Sequence, residues 1–197
     1  MKKIILSVAA VFAFGFANAQ DNEGTGTKGF ANGDVFITGA VGIGSVSFGD
    51  NKETSFEIAP SAGLFVTDNI AVGVRLGYTS DKAEVDGLGD TMDDTTLSVG
   101  AFGRYYATPS SDFSFFGELA FNYNSLEDKL ADNKANGFDL VLAPGVSYFI
   151  SDNFAFEATF GILGYETMKP DGADDSQNSF NFGLDMRDVR LGLVYKF

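Results

Sequence analysis

From Asp34 to Phe197, apolar residues return at every second position instead of every third or fourth, which is the period of a β-strand. Eight alternating segments can be marked, at roughly 34–48, 55–66, 70–79, 95–107, 113–124, 138–150, 154–165 and 186–197. Three connections are short: Thr67-Asp68-Asn69, Thr108 to Asp112, and Ser151-Asp152-Asn153. They alternate with longer polar connections at about 49–54, 80–94, 125–137 and 166–185, most of them acidic. An even number of strands, with short turns at one end and long loops at the other, is the pattern of a bacterial outer-membrane barrel whose short turns face the periplasm.

The strand faces carry the same message. One parity holds rows such as Ile70, Val72, Val74, Leu76 and Tyr78, or Phe113, Phe115, Leu119, Phe121 and Tyr123. Charged residues within strands two to eight, up to position 165 and again from 189 on, take the other parity: Glu57, Arg75, Arg104, Glu118, Asp139, Glu157, Arg190 and Lys196. A cation on the lipid face at the bilayer midplane costs about 2 to 4 kcal/mol, so the charged parity must face inward. The inward row is otherwise small (Ala71, Gly73, Gly77, Ser98, Gly100), as the crowded bore of an eight-stranded barrel requires, whereas a soluble sandwich would wet that face with Lys, Glu and Thr. Outward aromatics gather at strand ends, Tyr105, Phe115, Tyr148 and Phe156 near the short turns and Phe56, Tyr78, Tyr123 and Phe138 near the long loops, as two interfacial girdles. The predicted fold class is therefore all-β: an eight-stranded antiparallel transmembrane β-barrel with short periplasmic turns and long acidic extracellular loops.

Three segments divide the 197 residues. Lys2 and Lys3, the apolar run Ile4 to Phe16 and the small residues Ala17-Asn18-Ala19 read as a secretory signal peptide over 1–19, cleaved on export. Residues 20–33, polar and Gly-rich, read as a flexible N-terminal lead. The barrel domain takes 34–197. Losing the leader removes two Lys and no acid, moving the formal charge from -14 to -16.

Pro60 and Pro144 fall within strands, where a missing N–H should force a bulge. They also mark a repeat, because Ala59 to Val72 parallels Ala143 to Phe156 at a constant offset of 84 residues. Strands two and three thus match strands six and seven.

The C-terminal run Arg190-Leu191-Gly192-Leu193-Val194-Tyr195-Lys196-Phe197 resembles the outer-membrane assembly signal, with Arg190, Gly192, Tyr195 and Phe197 in its four defining places. Together with the hairpin motif Pro60, Gly63, Asp68, Asn69, the mature chain resembles the small outer-membrane β-barrel proteins of the OmpA/OmpX-like group, in its bacteroidete form. That resemblance implies export, handling of the last strand by the barrel-assembly machinery, and residence in the outer membrane among lipid and lipopolysaccharide. It implies no substrate and names no surface ligand, since members serve as adhesins, anchors, small pores and resistance factors.

Composition removes several functions. With no His and no Cys, zinc sites, Ser-His triads, Cys nucleophiles and disulfides are excluded, and no enzyme or cofactor is expected. The acidic balance disfavours nucleic acid, whose phosphates are met chiefly by Lys and Arg. Asp81, Glu84, Asp86, Asp90, Asp93, Asp94, Glu127, Asp128, Asp132, Asp171, Asp174 and Asp175 lack the spacing of a calcium-binding loop and read as solvated acids, with no metal assigned. The lumen charges Glu57, Arg75, Arg104, Glu118, Asp139, Glu157 and Arg190 are the candidate site. Arg104 and Glu118 flank one turn at nearly matched distances and should be neighbours; Glu157 and Arg190 lie on adjacent strands. A salt-bridged plug suits a structural or cell-surface interaction role; the alternative is a narrow, cation-preferring, porin-like channel for small solutes.

Overall fold

The computed structural model describes residues 28–183 and 189–197, so the expected signal peptide and the start of the lead lie outside the described residues. Ten strands form: β1 (Val35–Phe48), β2 (Asn51–Phe65), β3 (Ile70–Val85), β4 (Gly89–Tyr106), β5 (Phe113–Asp128), β6 (Asn133–Phe149), β7 (Phe154–Phe160), β8 (Leu163–Pro170), β9 (Gln177–Phe182) and β10 (Val189–Lys196). All pairings are antiparallel, and the sheet closes because β5 pairs β6 while β1 pairs β10. The barrel is eight-stranded. β7 and β8 are the lower and upper parts of the seventh strand, both on β6, and β9 and β10 belong to the eighth.

The hydrocarbon around the barrel dictates which face is apolar. Phe115 and Leu191, both outward, are 62 % and 61 % exposed, whereas the inward Phe36 and Tyr106 are completely covered. Aromatic pairs sit at both rims: Phe154 against Tyr195 and Tyr195 against Phe197 at one, Tyr123 and Phe121 against Phe138 at the other.

Several sequence expectations need correction. The segments read as long extracellular loops are the ends of long hairpins: β1 meets β2 after Gly49 and Asp50, β3 meets β4 across 86–88, and β5 meets β6 across 129–132. Beyond the membrane both faces of a hairpin meet water, so the apolar alternation stops while backbone pairing continues. Neither proline forces a bulge in its own strand. The β2–β3 ladder skips Ala59 and Pro60 and resumes in the same register. β6 keeps one register with β5 through Pro144, and the irregularity lies on the facing strand, at the break between β7 and β8. That break, at residues 161–162, reverses the parity of the seventh strand, so Glu166 faces Asp139 on the inward row. β1 runs unbroken, with Val46 and Phe48 on its inward parity.

The 84-residue repeat has a mechanical reason. In each of the two repeated turns a hydroxyl accepts the N–H three residues on, Thr67 from Ile70 at 3.0 Å and Ser151 from Phe154 at 3.0 Å. The amides of Asn69 and Asn153 then donate to the Tyr106 and Lys196 carbonyls, each at 2.8 Å. The Asp-Asn turn therefore clamps its hairpin to the next strand of the barrel.

The lead also differs from expectation at its end. Residues 28–33 are packed against the rim of short turns instead of trailing freely, because Phe30 finds an aromatic pocket there and is 2 % exposed.

Candidate functional site in the barrel lumen

Register brings the lumen charges together in the lower half of the bore. Arg104 faces Glu118 across the β4–β5 ladder, and its Nε donates to Glu118 Oε2 at 2.6 Å. Arg75, on β3, donates from Nη2 to the other oxygen of Glu118 at 2.6 Å. Arg104 Nη1 donates to Glu157 Oε2 at 2.9 Å, joining β4 to β7 on the far wall. Two cations and two carboxylates thus form a neutral chain across the bore. Side-chain exposure is 3 % for Arg104, 4 % for Glu118 and 3 % for Glu157, so pairing is obligatory: an unpartnered buried charge costs several kcal/mol.

Tyr106 completes the layer and was not singled out among the candidates. It accepts from Arg104 Nη1 at 3.1 Å and donates to Glu157 Oε1 at 3.1 Å. Its inward parity, two residues after Arg104, was the available signal.

Aromatic rings cage the guanidinium. Phe102 and Phe116 lie with their centroids 4.8 Å from Arg104 Cζ, and Phe36 lies at 5.8 Å. Each of these rings lies over a glycine directly opposite in the next strand: Phe36 over Gly63, Phe102 over Gly73, Phe116 over Gly145. A Cβ at any of the three would run into the ring tip. The small inward residues are therefore the seats of the rings that hold Arg104.

Arg190 does not join Glu157. The β7–β10 register puts Gly192 opposite Glu157 and Arg190 opposite Thr159. Arg190 turns the other way and donates from Nε to both Glu57 oxygens, at 2.9 and 3.0 Å. β1 lies between them and carries Gly42 opposite Glu57, with no side chain in the path. Asp139 stands apart higher up, accepting from Asn122 at 2.7 Å and Asn124 at 2.6 Å.

Open space narrows downward. A vestibule of about 460 Å³ involves Glu53, Asp81 and Arg190. A cavity of about 200 Å³ follows, lined by Asp139, Asn122, Thr79 and Ser98. At Arg104 and Glu157 only about 20 Å³ remains, roughly room for one water.

The sequence model of the outer membrane protein beta-barrel domain family matches residues 6–197. The chain belongs to that family. Solved structures share its fold. The outer membrane protein OprG from Pseudomonas aeruginosa superposes with a TM-score of 0.55 at 17 % identity, over 87 % of this chain and 99 % of that one. Neisserial surface protein A gives 0.50 at 20 % identity, over 83 % and 95 %, and the E. coli outer membrane protein W gives 0.50 at 16 %, over 85 % and 99 %. No curated protein matches the chain. Family and fold together indicate the bacterial outer membrane.

On this outer-membrane beta-barrel domain, the lysines of the upper strands share the outward parity with Glu84, Asp93 and Glu127. Above Arg75 and Arg190 the inward row carries Glu53, Asp81, Asp94, Asp128, Asp139 and Glu166, while Lys52, Lys82, Lys134 and Lys169 take the outward parity. Asp81, Asp94 and Asp128 stand directly abreast on three strands. Burial, then Asp128 and Asp81, push the Asp94 carboxyl above its ordinary value, whereas the hydrogen bond from Lys129, helped by Lys82, holds the neighbouring Asp93 below it. Among the described residues no three carboxylates gather closely enough to hold a metal ion.

Proposed function

We propose that the protein is a closed barrel with a structural or cell-surface interaction role, its lumen plugged by the layer Arg75, Glu118, Arg104, Glu157. One observation carries this reading: the buried ion-pair chain spans from β3 to β7 and leaves about 20 Å³ beside it. No solute larger than water fits that space without breaking buried ion pairs. Export by the leader 1–19, delivery of the last strand to the barrel-assembly machinery, and contact with outer-membrane lipid and lipopolysaccharide belong to the same reading, which assigns no catalysis and no cofactor.

A narrow, cation-preferring channel is the second reading. The inward acids above the plug favour it, since a ring of carboxylates enriches cations at a pore mouth. Single-channel recording of the purified protein in planar bilayers decides between them. The closed barrel stays silent at all potentials, and Arg104→Ala admits at most irregular current. Steady openings of the unaltered protein that carry cations in preference to anions would overturn it.

A further inference from the structure

Beneath the ionic layer lies a second closure made by a different part of the chain. The Phe30 ring sits among Phe65 at 4.6 Å, Phe149 at 4.8 Å, Tyr106 at 5.4 Å and Phe36 at 5.5 Å between centroids. These four rings project from β2, β6, β4 and β1, around most of the barrel's circumference. Phe30 therefore occupies the axis, and removing it would leave a hole the size of a benzene ring at the periplasmic mouth.

The backbone around Phe30 is tied to the rim at separate points. Phe30 N donates to the Pro109 carbonyl at 2.7 Å, in the β4–β5 turn, and Gly33 N donates to the Phe65 carbonyl at 2.9 Å, on β2. Lys196, on β10, donates from Nζ to the Gly29 carbonyl at 2.7 Å. Gly29 has φ +98°, and a Cβ there would stand 2.6 Å from Pro109 O, so only glycine permits this close approach. By contrast the outermost tie, Lys28 to Asp112 at 3.2 Å, joins two half-exposed side chains and is the weak end.

We propose that residues 28–33 are a built-in stopper, an autoinhibitory segment that seals the periplasmic end of the bore beneath the ionic layer. The lumen is then a blind cup open only to the outside. Passage in either direction requires two events, release of the stopper and rearrangement of Arg104, at levels that share the rings of Tyr106 and Phe36.

Because the chain contains no cysteine, one introduced thiol reports access to a chosen level. Ser147 is the inward residue next above Phe149 on β6; it is 1 % exposed and its Oγ has no hydrogen-bond partner, so Ser147→Cys breaks no bond. The full-length protein in detergent micelles is treated with a charged methanethiosulfonate. Labelling of Ser147→Cys is slow in the parent and rises on the order of tenfold in Phe30→Ala and in Gly29→Ala, a shift in local opening of about 1.4 kcal/mol. Gly29→Ala retains every lumen side chain, so it remains informative if Phe30→Ala fails to fold. Ser98→Cys, in the cavity above the ionic layer, labels at one rate in all backgrounds. Unchanged labelling of Ser147→Cys in the folded Gly29→Ala protein would overturn the stopper. So would faster labelling in Arg104→Met alone, which would mean that access is controlled from above.

Discussion

Arg104 can be buried in the bore because its Nε and Nη1 meet the carboxylates of Glu118 and Glu157 while its guanidinium lies against the rings of Phe102 and Phe116. Breaking such a pair by removing one partner costs about 3 to 5 kcal/mol, since the other charge stays buried, whereas removing both can be nearly neutral. Arg104→Met should therefore lower unfolding free energy in urea titrations from detergent by about 3 to 5 kcal/mol. Adding Glu157→Gln should recover much of that loss, and strict additivity of the two changes would contradict the coupling. The Arg104–Glu118 neighbourhood was legible because both flank one turn. The Glu57–Arg190 pair was not, because it depends on a bare glycine in the strand between them.

At the scale of strands, three Gly–Phe oppositions set how closely neighbours approach around the cage. Gly73 is the most confined of the three, with the Ala62 carbonyl as well as the Phe102 ring in the path of a Cβ. Gly73→Ala must push that ring off its seat and out of line with Arg104 and Arg75. Overpacking of this kind costs about 1 to 3 kcal/mol, read as a lower urea midpoint with an unchanged slope. Gly103 has open space at its Cβ position, so Gly103→Ala is the control and should change stability little. The inward parity of small residues such as Gly73 was visible in the sequence, but the aromatic rings that share their face were not singled out. Which ring lies over which glycine required the register. Strand ends were misjudged for a related reason: outside the membrane the pairing persists without the apolar alternation that announces it. The packed end of the lead was hidden too, since a single Phe30 among glycines and polar residues carries no period.

Closure of the whole molecule depends on its last strand to finish. Until β10 docks, β1 and β7 both present unpaired backbone groups, which neither lipid nor an exposed edge tolerates. Among the described residues the β1–β10 seam has six facing residues, from Phe36 to Val41, against fourteen between β1 and β2. Its end is reinforced by Phe197, whose N–H donates to the Val35 carbonyl at 3.0 Å and whose ring packs edge-on against Tyr195, itself against Phe154. Removing Phe197 takes away the bond to Val35 and a girdle ring at the rim but leaves every other strand pairing of the barrel in place. Cells expressing the chain without Phe197 should accumulate it unfolded and protease-sensitive in the periplasm, while the same purified chain still refolds in detergent and keeps its heat-modifiable migration. That split separates recognition during assembly from stability afterwards, and Phe197→Trp, which restores a terminal aromatic, should restore insertion. Normal insertion of the truncated chain would remove the terminal aromatic as the assembly signal. Failure in both settings would make Phe197 a stability element of the seam instead.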